Sequence, residues 1–333
     1  MKVRELITDP KRLRSTLKSV LTSKWMWRTL IPLLRPRGVS VLMYHRILGT
    51  NRELDGCTVA TFEQQMRWVR EHCDPIAPDA LVDHVARPNR GRPAVLVTFD
   101  DGLRDYHDLA CPVLKRLGIP ALMFLPTALI DNGSPLWTNQ VQWAAQSTTR
   151  SSIRLPWADE AVVALPDAGA RAALGQTARD QLKRMPDSSR RAAIEKLVAE
   201  LGEPPPRPRE MMTWDEVRAI MDLTWIGGHS HTHPILSQLS RDDLELEIGT
   251  CRDRIVAETG RTPTLFAYPN GGPADYNAET QRVLKQHGFK LAFCTTEGMA
   301  GPETHWMAIR RIAAPLDPSP AAFAWRLAGM HLR

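Results

Sequence analysis

The chain has 333 residues, of which 43% are hydrophobic, and a formal net charge of +6. A chain of this length can bury one large core, and barrels of about 200 to 400 residues commonly form a single domain. Its five cysteines are odd in number and include no C-x-x-C pair, which argues against a disulfide framework or a cysteine zinc site and fits a reducing compartment.

The basic character is concentrated in residues 1–37, which hold ten Lys/Arg and two Asp/Glu and so carry +8, whereas the remaining residues total −2. Apolar side chains between Leu13 and Leu34 lie among these charges at partly helical spacing. Such a pattern predicts an amphipathic arm that contacts an anionic membrane through residues 1–34. Packing of this arm on the following domain, residues 38–333, is the equal alternative.

Nucleic acid is not an expected partner, because the basic residues do not continue beyond the arm and no nucleic-acid-binding motif accompanies them. The N-terminus has no apolar signal-peptide core, and the longest apolar stretch, residues 119–130, is too short to span a bilayer. The predicted location is therefore cytoplasmic, with peripheral contact on the inner face of the membrane.

Seven apolar runs alternate with helical patterns, which is typical of a parallel α/β fold. We predict strands over residues 39–43, 94–99, 121–125, 225–228, 264–268, 291–295 and 307–310. Two helices have clear end signals: a capping box begins at Thr213, and another helix runs from Ser240 to Gly260. Because active sites of parallel barrels lie at the carboxyl ends of the strands, the residues that follow these runs are the candidates for function.

Residues 131–212 interrupt the alternation and form a mostly helical insertion, predicted to lie over the active-site face. Helical stretches cover residues 139–145 and 170–201, the second broken near Pro186, before a proline-rich end. Tryptophans in and beside this insertion either stack on sugar rings or, more commonly for any one of them, pack the insertion onto the barrel. They are Trp137, Trp143 and Trp214.

The second strand ends in the adjacent carboxylates Asp100 and Asp101, and about 130 residues later His229 and His233 stand four residues apart. Two imidazoles and one carboxylate form a three-ligand face with open positions, as in catalytic zinc or facial-triad iron sites. Two bare carboxylates would repel, and a divalent cation keeps both ionised at neutral pH. We therefore predict Asp101, His229 and His233 as ligands of a divalent metal and Asp100 as the base. Zn²⁺ is the first choice, and Co²⁺, Fe²⁺ or Ni²⁺ fit the same ligands.

Two further histidines adjoin these motifs. His231 lies between the two ligand histidines and should point away from the metal if the segment is extended, which leaves it a supporting or substrate-side role. His45 follows the first strand, where it either lines the pocket or is a satisfied core histidine, and the core interpretation is slightly favoured.

Residues 98–102 together with residues 229–233 resemble the polysaccharide deacetylase family, the NodB homology domain of carbohydrate esterase family four. Residues 43–47 also resemble the opening strand of many members, and the resemblance extends from Gly38 to Ile312. It implies an α/β fold, a distorted (β/α) barrel of the NodB/polysaccharide deacetylase type, here with a helical insertion. It also implies Asp100 as catalytic base and Asp101, His229 and His233 as metal ligands.

The third family motif aligns on residues 267–271, where Pro269 and Gly271 match but the arginine position is Ala267 and the tyrosine position is Asn270. In the family the arginine holds the catalytic aspartate, and the backbone N–H at the tyrosine position binds the oxyanion. The resemblance therefore assigns oxyanion binding to Asn270, with Tyr268 as a neighbouring substrate residue. Arg311, after the last predicted strand, is the proposed substitute for the missing arginine.

The late histidine motif that supplies the family's general acid has no clear counterpart. His305 is the nearest candidate, although a solvent-exposed loop histidine is its more ordinary interpretation, and protonated Asp100 is the alternative acid. The missing histidine motif and Ala267 together leave open a second interpretation, in which the protein is a non-catalytic saccharide-binding module. Retention of Asp100, which binding alone does not need, discriminates in favour of an enzyme.

The resemblance implies a hydrolase that acts on a carbon–nitrogen bond and removes the N-acetyl group from an N-acetylated sugar. The basic arm and the predicted location suggest a lipid-linked or nucleotide-linked substrate, an intermediate of cell-surface polysaccharide or glycolipid synthesis. A deformylase of a lipid-linked amino sugar is the second enzymatic interpretation.

Overall fold

The computed structural model describes residues 37–49, 56–87, 91–158, 161–316 and 319–329. The predicted N-terminal arm, apart from Arg37, lies outside the described residues. Among the described residues, no helix is both long and apolar enough to cross a bilayer.

Twelve strands occur in the described part of the chain, and seven of them build a closed parallel barrel. In chain order they are β1 (Ser40–Tyr44), β2 (Ile47–Leu48), β3 (Cys57–Thr58), β4 (Asp74–Pro75), β5 (Ala94–Phe99), β6 (Ala121–Leu125), β7 (Ser152–Arg154), β8 (Val162–Ala164), β9 (Thr224–Gly228), β10 (Leu265–Ala267), β11 (Leu291–Glu297) and β12 (Ile309–Ala313). The barrel order is β1-β12-β11-β10-β9-β6-β5, and β5 pairs back onto β1 while β4 extends the sheet beside β5. The predicted (β/α) barrel is confirmed.

Eleven α-helices occur in the described part of the chain. They are α1 (Val59–His72), α2 (Leu81–Ala86), α3 (Cys111–Leu117), α4 (Thr127–Asn132), α5 (Trp137–Ser147), α6 (Ala168–Lys183), α7 (Asp187–Leu201), α8 (Trp214–Ile220), α9 (Arg241–Thr259), α10 (Ala278–Gln286) and α11 (Pro320–Leu327). The predicted capping box at Thr213 begins α8, and α9 begins after Ser240 and ends at Gly260, which has a φ of 69°. A π-helical turn, Tyr106–Ala110, precedes α3.

Side chains alternate between the barrel interior and the surrounding helices, as the two-residue period of a strand requires. In β5, Ala94 and Leu96 belong to the interior apolar cluster, whereas Val95 and Val97 belong to the cluster under the helices. The interior row continues from Leu96 through Thr98 to Asp100. The apolar interior of the barrel is therefore closed, at the carboxyl ends of the strands, by polar groups.

The last strand differs from its prediction, because it begins two residues later and continues three residues further than residues 307–310. Arg311 consequently lies inside β12, two residues after the interior Ile309, and not after the strand as expected. On sequence grounds the apolar run ends at Arg310 and Arg311. Inside the barrel, however, the charge of Arg311 is balanced by a carboxylate, which allows the strand to continue.

The insertion consists of α5, α6, α7 and the β7–β8 hairpin, which enclose an apolar cluster of their own. Trp137 packs against this cluster with the Arg190 guanidinium 5.5 Å from its ring centroid. The Trp143 indole N–H donates to the carbonyl of Pro205, and the buried Trp214 donates to Asp131. Trp214 thus joins the insertion to the barrel, whereas Trp137 and Trp143 make their contacts within the insertion.

Candidate metal and catalytic site

The two halves of the predicted site meet at the carboxyl ends of β5 and β9. Asp101, His229 and His233 are buried, and one potential ligand atom from each lies within 4.8 Å of the others. Asp101 Oδ1 is 3.5 Å from His229 Nε2 and 3.4 Å from His233 Nε2. Residues separated by more than 120 positions in the chain thus present one oxygen and two nitrogens to a single point.

The orientation of His229 is set by the next strand of the barrel. Its Nδ1 lies 2.7 Å from the carbonyl oxygen of Ala267 in β10. Because a carbonyl can only accept, Nδ1 carries a proton, and Nε2, which faces Asp101, is the nitrogen left for a metal, the arrangement that metal-binding histidines require. The small side chain of Ala267 thus occupies the family's arginine position while its carbonyl orients a ligand.

Backbone strain is concentrated in this site. Among the described residues, the non-glycine residues with positive φ are Asp101 (74°), Ser230 (63°), His233 (62°) and Asn270 (60°). Each such residue costs on the order of 1 kcal/mol and persists only where the surrounding structure enforces it. Because the ligand segment is not extended, the reason for expecting His231 to point away does not apply, and its orientation has to be taken from its contacts.

Gly102 completes the tight turn after the carboxylate pair. It has a φ of 67°, and a Cβ at this position would lie 2.8 Å from Ile130 and 2.9 Å from Leu125. Only glycine fits both the backbone conformation and the packing.

Arg311 forms a bidentate ion pair with Asp100 across the mouth of the barrel. Nη1 donates to Oδ1 at 2.7 Å and Nη2 to Oδ2 at 2.8 Å, while Nε donates to the carbonyl of Cys294 at 3.0 Å. Both side chains are almost completely buried. Planar guanidinium groups match both oxygens of a carboxylate, so this pair fixes the position of the Asp100 carboxylate.

The local charges keep both carboxylates ionised. Burial opposes ionisation of Asp100, but the charges of Arg311, His229 and His45 and the hydrogen bond of Arg311 outweigh it, so the pKa of Asp100 lies below its ordinary value. Burial also opposes ionisation of Asp101, yet hydrogen bonds to His229 and His233 hold its pKa well below the usual range. Burial lowers the pKa of His233, which favours the neutral form that binds metals. For His229, burial is outweighed by the hydrogen bond to Asp101 and the charge of Asp100, which raise its pKa.

The loop after β10 places Asn270 and Tyr268 beside these groups. Asn270 lines the same cavity as Asp100 and Asp101, and neither its backbone N–H nor its buried Nδ2 donates to another described residue. Tyr268 also borders the cavity, but its hydroxyl donates to the carbonyl of Met307 at 2.7 Å. The free donors at this edge therefore belong to Asn270.

His231 is held away from the cluster. Its Nδ1 lies 2.9 Å from Thr127 Oγ1, and its backbone N–H donates to Glu247 of α9 at 2.9 Å. Glu247 also accepts from the backbone N–H of Thr232 at 2.8 Å and from the Thr232 hydroxyl at 2.5 Å. Neither cavity at the site is lined by His231. Its contacts instead anchor residues 229–233, the ligand loop, to α4 and α9.

His45 is a site residue that the core interpretation missed, and that interpretation is wrong. Its side chain is 46% exposed, its Nε2 lies 3.6 Å from Asp100 Oδ2, and it lines the cavity at the metal ligands. Its position directly after a barrel strand was the available signal. His305, by contrast, is an exposed loop residue beside a different cavity.

Comparisons with known proteins agree with the motifs and the barrel. The family model described as Polysaccharide deacetylase matches residues 87–292, more than half of the chain, and the chain belongs to this family. This membership supports deacetylase activity, and the buried Asp101, His229 and His233 could hold a metal ion. The family prediction made from the two motifs is confirmed.

Individual relatives resemble the chain more distantly. YxkH of Bacillus subtilis (strain 168), named as a polysaccharide deacetylase, is 29% identical over 116 residues, which cover 34% of this chain and 40% of the relative. The Streptococcus pyogenes deacetylase PplD, solved with acetate, has a TM-score of 0.57 at 18% identity and covers 84% of this chain and 92% of its own. IcaB from Ammonifex degensii has a TM-score of 0.56 at 20% identity and covers 88% and 98% respectively. These two structures establish the shared fold.

Proposed function

We propose that this protein is a metal-dependent hydrolase that removes the N-acetyl group from an N-acetylated sugar by cleaving its carbon–nitrogen bond. One observation carries the proposal. The buried Asp101, His229 and His233 converge beside a carboxylate, Asp100, that Arg311 holds by both oxygens. Three ligands with a separate fixed base are the arrangement that metal-assisted amide hydrolysis needs.

The proposed ligands fit a divalent metal. One carboxylate oxygen and two imidazole nitrogens suit Zn²⁺ first, and Co²⁺, Fe²⁺ or Ni²⁺ as well. When bound, such an ion supplies a water of lowered pKa and polarises the amide carbonyl. The orientation of His229 by the Ala267 carbonyl supports this assignment.

Asp100 is the proposed base. Its carboxylate is held by Arg311 at 2.7 and 2.8 Å, so it remains ionised and oriented when it accepts the proton of the attacking water. The same contact limits the basicity of Asp100, because the cation stabilises its charged form. Arg311 is thus a positioning residue for the base.

The backbone N–H of Asn270 is the proposed donor to the oxyanion of the tetrahedral intermediate. It makes no hydrogen bond to another described residue and borders the cavity. A donor fixed before the reaction stabilises developing charge without reorganisation. Tyr268 supports this loop through its hydrogen bond to Met307.

His45 is the proposed donor of a proton to the leaving amine. It is exposed to the cavity and lies 3.6 Å from Asp100, so both groups can approach one substrate nitrogen. Protonated Asp100 is the second source of this proton. His231 and Trp137 have structural contacts, which support positioning roles for both.

We further propose that the substrate is an intermediate of cell-surface polysaccharide or glycolipid synthesis, carried on a lipid and reached at the inner face of the membrane. This step rests on the sequence of the basic arm, residues 1–37, ahead of the deacetylase domain, residues 38–333. Co-sedimentation with anionic liposomes tests it. Deleting residues 1–34 should abolish the association, and unchanged co-sedimentation would contradict the membrane contact.

Two sequence features favoured the alternative of a non-catalytic saccharide-binding module: Ala267 at the family's arginine position and the absence of the late histidine motif. The contacts of Arg311 remove the support of the first. Ala267 removes the family's arginine, but Arg311 provides a guanidinium on the same carboxylate from β12. Because binding a metal and a sugar does not require Asp100, an ion pair dedicated to this residue supports the enzyme.

The deciding experiment measures acetate and formate release from N-acylated saccharides and lipid-linked sugars by the zinc-loaded protein. Asp100→Asn should lose release while retaining the metal, His45→Gln should reduce it, and Asp215→Asn, at an exposed surface carboxylate, should match the wild type. The acid released identifies the acyl group and so separates deacetylase from deformylase. Unchanged release by Asp100→Asn would refute the assigned base, and tight metal binding without release from any sugar would favour the binding module.

A further inference from the structure

One face of helix α6 in the insertion forms a polar wall of the candidate site. Gln176, Arg179, Asp180 and Lys183 occupy positions i, i+3, i+4 and i+7, which lie on one side of a helix. All four line the cavity of about 350 Å³ that also contains Asp100, Asp101 and both ligand histidines. The insertion therefore contributes directly to the surface that a substrate meets.

The cavity at the metal ligands continues into a second one. The neighbouring cavity of about 410 Å³ runs between the barrel and the insertion helices. Six residues line both cavities, so the two form one cleft: His45, Asp101, Leu136, Thr138, Gln176 and Arg179. Arg179 stands at their junction, where a group attached to the reacting sugar would lie.

The two cations of this wall have no carboxylate partner among the described residues. The Arg179 guanidinium donates to the Gln176 side chain, and its buried Nε has no hydrogen-bond partner in the described part of the chain. The Lys183 ammonium forms no hydrogen bond or ion pair to a described side chain, and the nearby Asp180 accepts from Gln176 instead. The wall therefore carries two cations, Arg179 and Lys183, and one carboxylate, Asp180, which is hydrogen-bonded to Gln176.

The other charges of the cleft do not compensate this excess. Asp100 is neutralised by Arg311, and Asp101 faces the proposed divalent cation. An excess of positive charge in a cleft with low-dielectric walls attracts anionic ligands. A neutral sugar would leave Arg179 partly desolvated without a partner, whereas an anion would form charge-assisted hydrogen bonds with it.

We propose that Arg179 and Lys183 recognise an anionic substituent on the substrate, so that the preferred substrate class is a phosphorylated or carboxylated N-acylated saccharide. The inference rests on the proposed function for the location of the sugar. It adds a chemical requirement that the metal site alone does not impose. Phosphate and carboxylate share the chemistry that a guanidinium and an ammonium group bind.

The test compares a neutral N-acetylated sugar with related ligands that carry an anionic group. Calorimetric titration of the zinc-loaded protein uses N-acetylglucosamine, its 1-phosphate, its diphosphate-linked nucleotide conjugate and an N-acetylated uronic acid. We expect anionic ligands to bind at least about tenfold more tightly than the neutral sugar, because they form charge-assisted hydrogen bonds with Arg179 and Lys183. The double variant Arg179→Ala/Lys183→Ala should lower this preference by about tenfold or more. Lys196→Ala, which removes an exposed cation of α7, should leave the preference unchanged.

The outcomes separate this inference from the proposed function. A preference that survives in the double variant arises elsewhere, for example at the metal, and overturns the inference, as does equal binding of neutral and charged sugars. A preference lost in the double variant supports the inference even if no acid is released, and in that case only the hydrolase proposal fails. Acid release without any preference for charged sugars supports the hydrolase and overturns the anion requirement. Comparison of phosphate with carboxylate ligands then identifies the recognised group.

Discussion

Arg311 is a buried cation whose hydrogen-bond partners compensate for the burial of its charge. Its guanidinium has no exposed surface, and its carbon Cζ lies 5.7 Å from the centroid of the Phe124 ring, above the apolar barrel interior. Burial of an unpaired charge costs several kcal/mol. The bidentate contact with Asp100 and the hydrogen bond to Cys294 supply partners for the three guanidinium nitrogens.

Replacement of Arg311 by Met should therefore impair both stability and activity. The variant leaves Asp100 buried without its cation, which should lower the free energy of unfolding by about 3 kcal/mol or more and raise the pKa of Asp100. Misplacement of the base should reduce kcat about a hundredfold. Denaturant unfolding and acid release measure the two effects.

The neighbouring Arg310 offers a matched control, because it is exposed on the other side of β12. Arg310→Met removes the same charge and should retain stability and activity. Equal losses in the two variants would show that the ion pair with Asp100 has no special role.

Asp105 is a further carboxylate, largely buried with its side chain 16% exposed, and its ion pairing is weak. Its nearest cation, Arg46, lies 3.9 Å away and binds Glu210 more closely, at 3.0 Å, while Asp105 Oδ1 is buried without a partner. Burial, assisted by the charges of Glu210 and Asp101, raises its pKa to about 7 against the opposing charge of Arg46. The folded protein thus retains this proton at pH values where the unfolded chain, with a pKa near 3.9, has lost it.

Asp105→Asn should consequently stabilise the protein in a pH-dependent manner. Between about pH 4 and 7 the folded state binds more protons than the unfolded state, so the contribution of Asp105 to stability falls as pH rises. The gain of the variant over the wild type should grow across this range by up to ~4 kcal/mol and then level off. Urea unfolding at pH 4.5, 6 and 8, with a chelator present, measures this gain.

The exposed Asp108 supplies the comparison for this prediction. Asp108→Asn should show little change in the same series, because its side chain is 47% exposed and exposed ion pairs contribute little to stability. A stability gain of Asp105→Asn that is constant with pH would contradict the raised pKa.

At the scale of elements, the ligand loop depends on α9. Glu247 of this helix accepts both backbone N–H groups of His231 and Thr232, and the hydroxyl of Thr232, and is itself buried. These bonds hold the strained segment that carries His229 and His233. Groups that orient ligands in this way contribute to metal affinity although they do not touch the metal.

Glu247→Ala should weaken metal binding about tenfold to a hundredfold, because the ligand loop loses three hydrogen bonds. Competition with a chromophoric chelator gives the dissociation constant. Asp253→Ala, on the exposed side of the same helix, should bind metal as the wild type does. An unchanged dissociation constant in Glu247→Ala would show that the loop keeps its conformation without α9.

Sequence patterns predicted those parts of the fold that depend on near neighbours in the chain. Apolar runs predicted all seven barrel strands, and local end signals predicted α8 and α9. Both patterns depend on residues that are close together in the sequence. The two motifs that carry the proposed metal ligands were also local. The contact between Arg311 and Asp100 joins positions 211 residues apart and depends on the closure of β12 onto β1. No local pattern indicates it, and Arg311 was predicted only through the family resemblance, as the substitute for the arginine missing at Ala267.

The roles of single histidines were predicted less well for a related reason. Sequence places His45 at the end of a strand, but whether its side chain turns inward or toward solvent depends on what covers the barrel mouth. In this molecule the insertion leaves a cleft there, and His45 lines it. The same insertion brings Arg179 and Lys183 to the site, which no local motif indicates.

At the scale of the whole molecule, the site joins distant parts of one barrel. Asp101 follows β5, whereas both ligand histidines follow β9, and all three are buried. A metal bound to these three residues would link chain segments that are close together only in the folded state. Metal binding should therefore stabilise the folded protein as a whole, by RT ln(1 + [M]/Kd).

At a free metal concentration about 1,000 times Kd, this relation gives ~4 kcal/mol, and for a chain of this size the melting temperature should rise by about 6 °C. Differential scanning calorimetry with zinc and with a chelator measures the shift. Asp101→Asn is the matched variant, because asparagine tolerates the positive φ of 74° at this position but supplies a neutral ligand. Its melting temperature should respond weakly to zinc. An equal response in both proteins would place the stabilising ion elsewhere, and no response in the wild type would contradict a metal site at Asp101, His229 and His233.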